Sequence, residues 1–375
     1  MLKNDSPHTM QLSRRAFLKR AGAWGLTSLA LSALPGCGAA RRAMAFEDTR
    51  QRFARAQELG LREIAEQRLH HGADRFVNPF MEGEHGGLGR VLRWKLFSRN
   101  RFKDRYAEET VRPIDLNWRP FREQGECAVM FLRHSTVLVR DRDRVLLVDP
   151  IFSNLFWYDD FSPIRSGLDQ MPAPDHVLLT HGHYDHLDVP SLRTLDPETH
   201  VITPLGYEDI LEDAGMTNHT RLDWYQGFRD RGLEILLLPC HHWTMRNPFT
   251  GPNRNLWGSY LLRGASGRTI FLSGDAAWFD RYKEIGREFD IDLAVFNLGA
   301  YEPRWFMAQS HINPEETVRA FQALRARRLL VVHWGAFRLG DEPVHLPPLD
   351  IRREMDKAGL SDRLVHLDPG ETVSL

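Results

Sequence analysis

The sequence predicts an α/β protein of stacked sheets and helices, preceded by a helical and irregular N-terminal extension. Three observations carry this. From about Glu126 onward, short β-rich apolar runs recur, each bounded by turn residues or followed by a polar loop. Helical stretches alternate with the later runs, and mixed strands and helices bury their apolar faces only by stacking in layers. One of these runs ends directly on His181-Gly182-His183-Tyr184-Asp185-His186, three imidazoles and a carboxylate within six residues.

The bulk numbers are permissive. The chain has 375 residues, enough for one large domain or two ordinary ones, with 42% hydrophobic and 26% charged residues. That composition excludes a collagen-like, disordered or coiled-coil protein. Three cysteines are too few for a disulfide-stapled scaffold. A formal charge of -1 argues against a nucleic-acid partner.

The elements follow in order. Lys3, Arg14, Arg15, Lys19 and Arg20 precede an uncharged apolar run from Ala21 to Leu34, too short for a comfortable membrane span. Ser13-Arg14-Arg15-Ala16-Phe17-Leu18-Lys19 resembles the bacterial twin-arginine export signal; an ordinary basic helix start is the alternative. Residues 1–36 therefore read as a signal peptide, and their removal leaves a mature chain of about -5. Leu34-Pro35-Gly36-Cys37 resembles a lipoprotein box, with Cys37 as lipid anchor, while Ala43-Met44-Ala45 offers a rival cleavage site. The expected location is periplasmic or membrane-anchored.

Residues 37–125 read as an extension. A helix is expected over 47–75, where Phe53, Leu59, Ile64 and Leu69 are spread among charges. Residues 76–125 are expected to be irregular, being rich in glycine and proline. Within them, Arg90 to Arg105 carries seven Lys/Arg and one acid, interleaved with Trp94, Phe97 and Phe102. Such an arm either lies on an anionic lipid surface or is solvated, with its aromatics packed on the main domain.

The main domain spans 126–375. Its expected strands are Ala128–Leu132, Val145–Val148, His176–Leu179, Ile235–Leu238, Leu256–Leu262, Thr269–Leu272, Leu293–Phe296 and Leu329–Val332. Expected helices are Tyr207–Asp213, Glu315–Arg327 with Asn313 as N-cap, and Leu349–Lys357. The chain shows no internal repeat.

The chemistry sits at the strand ends. The His181–His186 cluster suits zinc-like divalent metals, alternate residues of an extended loop aiming two imidazoles at one ion while Asp185 and His186 turn toward a second. Three further strands end on ligand-type residues: Leu238-Pro239-Cys240-His241-His242, Leu272-Ser273-Gly274-Asp275 and Val332-His333. Each alone would be an ordinary structural residue. Together they suggest one site at a single rim of the sheets.

HxHxDH followed by His, Gly-Asp and His resembles the signature of the metallo-β-lactamase superfamily, from about Cys127 to the C-terminus. The resemblance implies an αββα sandwich with a dinuclear site between two sheets. Arg133-His134-Ser135-Thr136, Asp149-Pro150, Thr180 through Asp188, His242-Trp243, Leu256-Trp257-Gly258-Ser259, Gly299 through Met307 and His333-Trp334-Gly335 are similar to N-acylphosphatidylethanolamine-hydrolysing phospholipases D. Two departures stand out: that family usually has Gly where Arg133 stands, and Gln is common where this chain has His241.

The resemblance implies two zinc ions. His181, His183 and His242 would hold one, with His241 as the second choice for the third ligand. Asp185, His186 and His333 would hold the other, and Asp275 would bridge. Tyr184 and His311 match positions that contact the substrate phosphate, and Asp149 matches an acid that orients a ligand imidazole. The implied reaction is attack of a metal-activated hydroxide on phosphorus, releasing phosphatidic acid and an N-acylethanolamine, with Asp185, Asp275 and His311 as catalytic groups and His311 able to protonate the leaving alcohol. His311 also precedes a helix start, which favours an anion; a histidine with no ligand there is the alternative. The competing expectations are a lactonase or phosphodiesterase acting on a small phosphorylated metabolite, and a lipid-binding surface protein without activity. Expected partners are a phospholipid and a membrane surface, with a homodimer left open.

Overall fold

The computed structural model describes residues 35–82, 88–156, 158–247 and 249–375. The expected signal with Arg14 and Arg15 lies outside the described residues. Cys37 and Ala43–Ala45 fall within helix α1 (Pro35–Glu58), and Thr49–Leu375 forms one compact unit. Among the described residues no helix is long and apolar enough to cross a membrane.

The single helix expected over 47–75 is instead broken by its tertiary partner. α1 ends at Glu58, and α2 (Leu61–Glu66) starts after Gly60, which is extended at φ -77°, ψ 165°. Gly60 N–H donates to the Glu63 carboxylate at 2.8 Å, and Leu61 N–H donates to Glu284 at 2.8 Å. A carboxylate 223 residues away thus satisfies a helix-start donor that no local residue supplies. Residues 67–75 are not helical.

The stretch 76–125 holds more structure than expected. α3 (Leu88–Phe97), a 3-10 turn at Lys103–Glu108, β1 (Ile114–Asp115) and α4 (Trp118–Glu123) lie there. Trp94 on α3 is buried against Phe306 at 4.9 Å, and its indole N–H donates to Asp341 at 3.0 Å. Phe97, one turn on, is 80% exposed. The arm packs on the main domain through one helix face and leaves an apolar residue outside.

Two seven-stranded sheets follow. β2 (Cys127–Arg133), β3 (Thr136–Asp141), β4 (Arg144–Val148), β6 (His176–Leu178), β7 (His200–Pro204), β8 (His219–Leu222) and β16 (Glu371–Ser374) make the first, in the order β16-β2-β3-β4-β6-β7-β8; β5 (Ile164–Ser166) pairs with β1 apart from it. The second is β15-β14-β13-β12-β11-β10-β9, with β9 at Gly227–Asp230, β10 at Leu233–Leu238, β11 at Ser259–Arg263, β12 at Thr269–Leu272, β13 at Leu293–Asn297, β14 at Arg328–Val332 and β15 at Leu364–Val365.

The period-2 pleat divides β2 between two cores. Cys127, Val129 and Phe131 enter the central core with Ile235, Leu237 and Tyr260 of the second sheet. Ala128, Met130 and Leu132 enter an outer core beneath α4, α5 (Val189–Leu192) and α6 (Glu208–Ala214), with Phe121, Leu192 and Leu211. Burial on both faces explains why β2 reads as an uninterrupted apolar run; a side chain such as Phe131 contributes about 1.5–3 kcal/mol by leaving water. α7 (Tyr282–Glu288), α9 (Pro314–Leu324) and α10 (Pro347–Lys357) cover the second sheet, with the short α8 (Arg304–Met307) between α7 and α9 in the chain. The architecture is helix, sheet, sheet, helix, as expected.

Candidate metal centre

Strand direction collects the site. β10 and β12 are each antiparallel to β11, and β12, β13 and β14 are parallel. β10, β12 and β14 therefore run the same way, and the residues just past their C-terminal ends (His242, Asp275, His333) share one rim. β6 of the first sheet delivers the His181–His186 loop to the same place. That loop turns into α5, whose N-cap Asp188 accepts from Ser191 N–H at 3.1 Å.

Two groups of donors meet there, each within 4.8 Å: His181, His183, His242 and Asp275, and His134, Asp185, His186 and His333. His186 Nε2 lies 3.2 Å from Asp275 Oδ2, and His333 Nε2 lies 3.3 Å from Asp275 Oδ1, so Asp275 reaches into both groups. The structure brings together every residue expected as a ligand. His241 joins neither group. His134, at the β2–β3 turn, belongs to the matched motif Arg133–Thr136 but was given no role there; the structure brings it to the second group.

The surrounding bonds decide which nitrogen faces inward. His186 Nδ1–H donates to Asp149 Oδ2 at 2.7 Å, and His242 Nδ1–H donates to Ser310 O at 3.0 Å. His181 Nδ1–H donates to Thr180 Oγ1 at 3.0 Å, whose hydroxyl donates to Asp149 at 2.6 Å. Spending the outer N–H leaves a bare lone pair on each inner nitrogen. Yet His181 Nε2 sits 2.9 Å from His183 Nδ1, and His242 Nε2 sits 3.4 Å from that same atom. Lone pairs converging in a buried place repel unless a cation lies among them. The donor set therefore fits a divalent metal.

Electrostatics agree. Burial, then the neighbouring imidazoles, hold His181 well below the ordinary histidine value. Burial likewise pushes His183 and His311 down to about 4. Neutral imidazole is the form that binds a metal. Burial opposes ionisation of Asp185 and Asp275, but the neighbouring His186 holds both carboxyls well below the usual range. Those carboxylates, against the effect of burial, raise His186 well above the ordinary histidine value, so a metal bound there would take the place of its inner proton.

Backbone at the site is strained. His134, Asp149 and His333 adopt φ of 46°, 42° and 70°, each costing roughly 1–3 kcal/mol for a non-glycine residue. Gly274, at φ 58°, lets β12 turn into Asp275; a Cβ there would meet the Thr180 side chain at 2.9 Å. Two supporting residues escaped sequence reading. Asn297 Nδ2–H donates to Asp275 Oδ1 at 3.0 Å, and Asn78 Nδ2–H donates to the His242 carbonyl at 2.9 Å. Each is a single residue with no motif around it.

A cavity of about 210 Å³ opens over both groups. Arg90, Trp94, Tyr158, Trp243, Phe306, Met307 and His311 are among its lining. His311 Nδ1 is 3.7 Å from Asp275 Oδ2, just before the Asn313 cap of α9. Tyr184 is not part of the lining: it is 60% exposed, its hydroxyl donates to Arg246 O at 2.8 Å, and Arg246 lies 4.3 Å over its ring.

Residues 144–334 match the family model described as the Beta-lactamase superfamily domain. The chain belongs to the metallo-β-lactamase superfamily. It is 31% identical over 274 residues to the N-acyl-phosphatidylethanolamine-hydrolyzing phospholipase D 1 of Caenorhabditis elegans, covering 67% of this chain and 76% of the relative. It is 26% identical over 254 residues to a metal-dependent hydrolase of Pyrobaculum calidifontis, covering 66% of this chain and 99% of that one. The solved structure of a possible metal-dependent hydrolase from Veillonella parvula shares the fold, with TM-score 0.57 at 15% identity over 67% of this chain and all of the other. This superfamily member is a metal-dependent hydrolase.

Proposed function

We propose that this enzyme is a dinuclear zinc phosphodiesterase that cleaves N-acylphosphatidylethanolamine-type phospholipids to phosphatidic acid and an N-acylethanolamine. The observation that carries the reading is the cavity wall. Trp94, Phe306, Met307 and Leu339 offer apolar surface beside the two donor groups, which suits a lipid better than a small polar metabolite. The likeness to the nematode phospholipase supports it. Imidazole-rich donors favour zinc.

In this reading His181, His183 and His242 would hold one ion and Asp185, His186 and His333 the other, with Asp275, which reaches into both groups, able to serve either. Such ions, when bound, lower the pKa of water from 15.7 toward about 7 and neutralise charge on phosphoryl oxygens. The chain's own residues do the rest. Asp149 and Ser310 fix the imidazoles, Asn297 fixes Asp275, and the aromatic wall excludes water. His311, kept neutral by burial, would offer a ring N–H hydrogen bond to a phosphoryl oxygen or to the departing oxygen, which would take its proton from solvent rather than from the imidazole. α3 extends the proposal to the membrane: Arg90 and Trp94 line the cavity while Leu92 and Phe97 on the same helix are exposed, so a lipid surface contacted there lies beside the cavity.

The test is a substrate panel on the zinc-loaded chain: N-acylphosphatidylethanolamine in anionic vesicles, ordinary phospholipids, a sugar-phosphate lactone and a chromogenic phosphodiester. The first should turn over fastest, and Asp275→Asn should lose at least 100-fold in kcat, on the order of one strong transition-state interaction. Preferential lactone opening, or full activity in Asp275→Asn with two zincs bound, sinks the reading.

A further inference from the structure

The β2–β3 turn carries an imidazole that the ligand set leaves over. His134 is fully buried, at φ 46°, and its carbonyl accepts the His333 N–H at 2.7 Å. Its ring lies 4.2 Å from that of His333 and 5.1 Å from Phe337. Its Nε2 reaches one polar atom, Asp185 Oδ2, at 3.2 Å. The same oxygen faces His333 Nε2 at 3.3 Å and His186 Nε2 at 3.7 Å, so it is the carboxylate oxygen turned to the second metal position.

We propose that His134 is a positioning residue for Asp185: its Nε2–H donates to Oδ2 and fixes which carboxylate oxygen faces the second metal position, without itself being a ligand. This rests on the two-metal reading above. Two observations separate it from a direct ligand. His186 and His333 each approach both Asp185 and Asp275, whereas His134 approaches Asp185 alone. His134 Nδ1 has no acceptor among the described residues. A hydrogen there would be a buried unpaired donor, so the ring keeps its single hydrogen on Nε2, where Asp185 accepts it. His333 Nδ1 shares the lack of an acceptor, but its Nε2 faces His186 Nε2 at 3.3 Å as well as two carboxylates, the environment of a ligand. A left-handed backbone at a bulky residue is the kind of strain that persists where the surroundings impose it.

The experiment compares His134→Phe, which keeps the ring packing but has no donor, with His134→Gln, which restores an N–H donor. Zinc content after graded chelator competition, read by mass spectrometry, should show one of two equivalents held 10–100-fold more weakly in the Phe variant, with recovery toward wild type in the Gln variant. kcat should fall with that loss while KM stays near wild type. Wild-type zinc retention in His134→Phe overturns the proposal. Equal zinc loss in both variants also overturns it, because the imidazole would then be a ligand. Tautomer assignment by ¹⁵N-histidine NMR of the zinc-loaded wild type needs no variant: hydrogen on Nε2 supports the proposal, and hydrogen on Nδ1 refutes it. Because zinc affinity and tautomer are read without substrate, failure of the phospholipase reading leaves this test intact.

Discussion

Arg133 occupies a place where the resembled phospholipases usually have glycine, and the structure shows how a guanidinium is tolerated there. Its side chain is 1% exposed, Nη2 donates to Asp160 Oδ1 at 2.8 Å, and the planar group lies 5.0 Å over Phe337. Neither ion has water to fall back on, and Arg133 Nε and Asp160 Oδ2 lack partners among the described residues. Removing one member strands the other. Arg133→Met should therefore cost about 3–5 kcal/mol in denaturant unfolding, and Arg133→Met with Asp160→Asn should recover most of it. Simple addition of the two single effects would show that the pair is not a unit. At this scale the ligands were legible because metal chemistry restricts residue type and spacing at once. His134, Asn78 and Asn297 were not, since a lone imidazole or amide acquires its role only from what a distant strand places beside it.

The element that motif reading described least well is the extension, and its anchor explains why. His70 is fully buried and stacks on Trp224 at 4.1 Å. Its Nε2–H donates to Asp223 Oδ1 at 2.5 Å, and His71 Nε2–H donates to Oδ2 at 2.8 Å. The segment between α2 and α3 is held by contacts 152 and 153 residues away, not by its own periodicity. The short polar strands β8, β9 and β16 went unread for a related reason: edge pairing, not an apolar face, defines them. The anchor predicts a pH dependence. Burial lowers the His70 pKa, so the folded state binds fewer protons there than the unfolded state. Burial works against ionised Asp223, but the His70 bond holds its carboxyl below the usual range. Both groups contribute stability that is present at neutral pH and lost on acidification, beginning below about 6.5 for the histidine. Once exchange is corrected for its slower intrinsic rate at lower pH, amide protection over 67–80 should fall between pH 7.5 and 5.5, more than in the central sheets. Asp223→Asn should weaken the anchor by about 1.5–3 kcal/mol already at pH 7.5. Exchange that is insensitive to both changes would mean the extension is held elsewhere. Through Asn78 and the His242 carbonyl, a loosened anchor also reaches the site.

At the scale of the whole molecule, the sandwich was legible because apolar runs and turn signals define layers, and the rim was legible because four strands each end on a donor. Apolar runs and spacing alone do not say which sheet a donor belongs to; the site between two sheets came only from the resemblance, and the structure divides the donors. His134 and the His181–His186 loop belong to the first sheet; His242, Asp275 and His333 extend the second. Bound metal would therefore tie the two halves of the sandwich at one end, where the bare donors repel. For each ion of the proposed pair, at 100 times its dissociation constant, linkage contributes about 2.7 kcal/mol. A domain of this size shifts its midpoint by roughly 2–4 °C per kcal/mol. Complete chelation should then lower Tm by roughly 10–20 °C, and zinc should restore it. The loss should be local as well as global: exchange should rise first at 181–188, 240–244, 273–277 and 333–335, with the β8 and β9 edges following only at the global transition. An unchanged Tm after metal loss verified by mass spectrometry would mean that packing alone closes the rim, and that the strain at His134, Asp149 and His333 is offset without the ions.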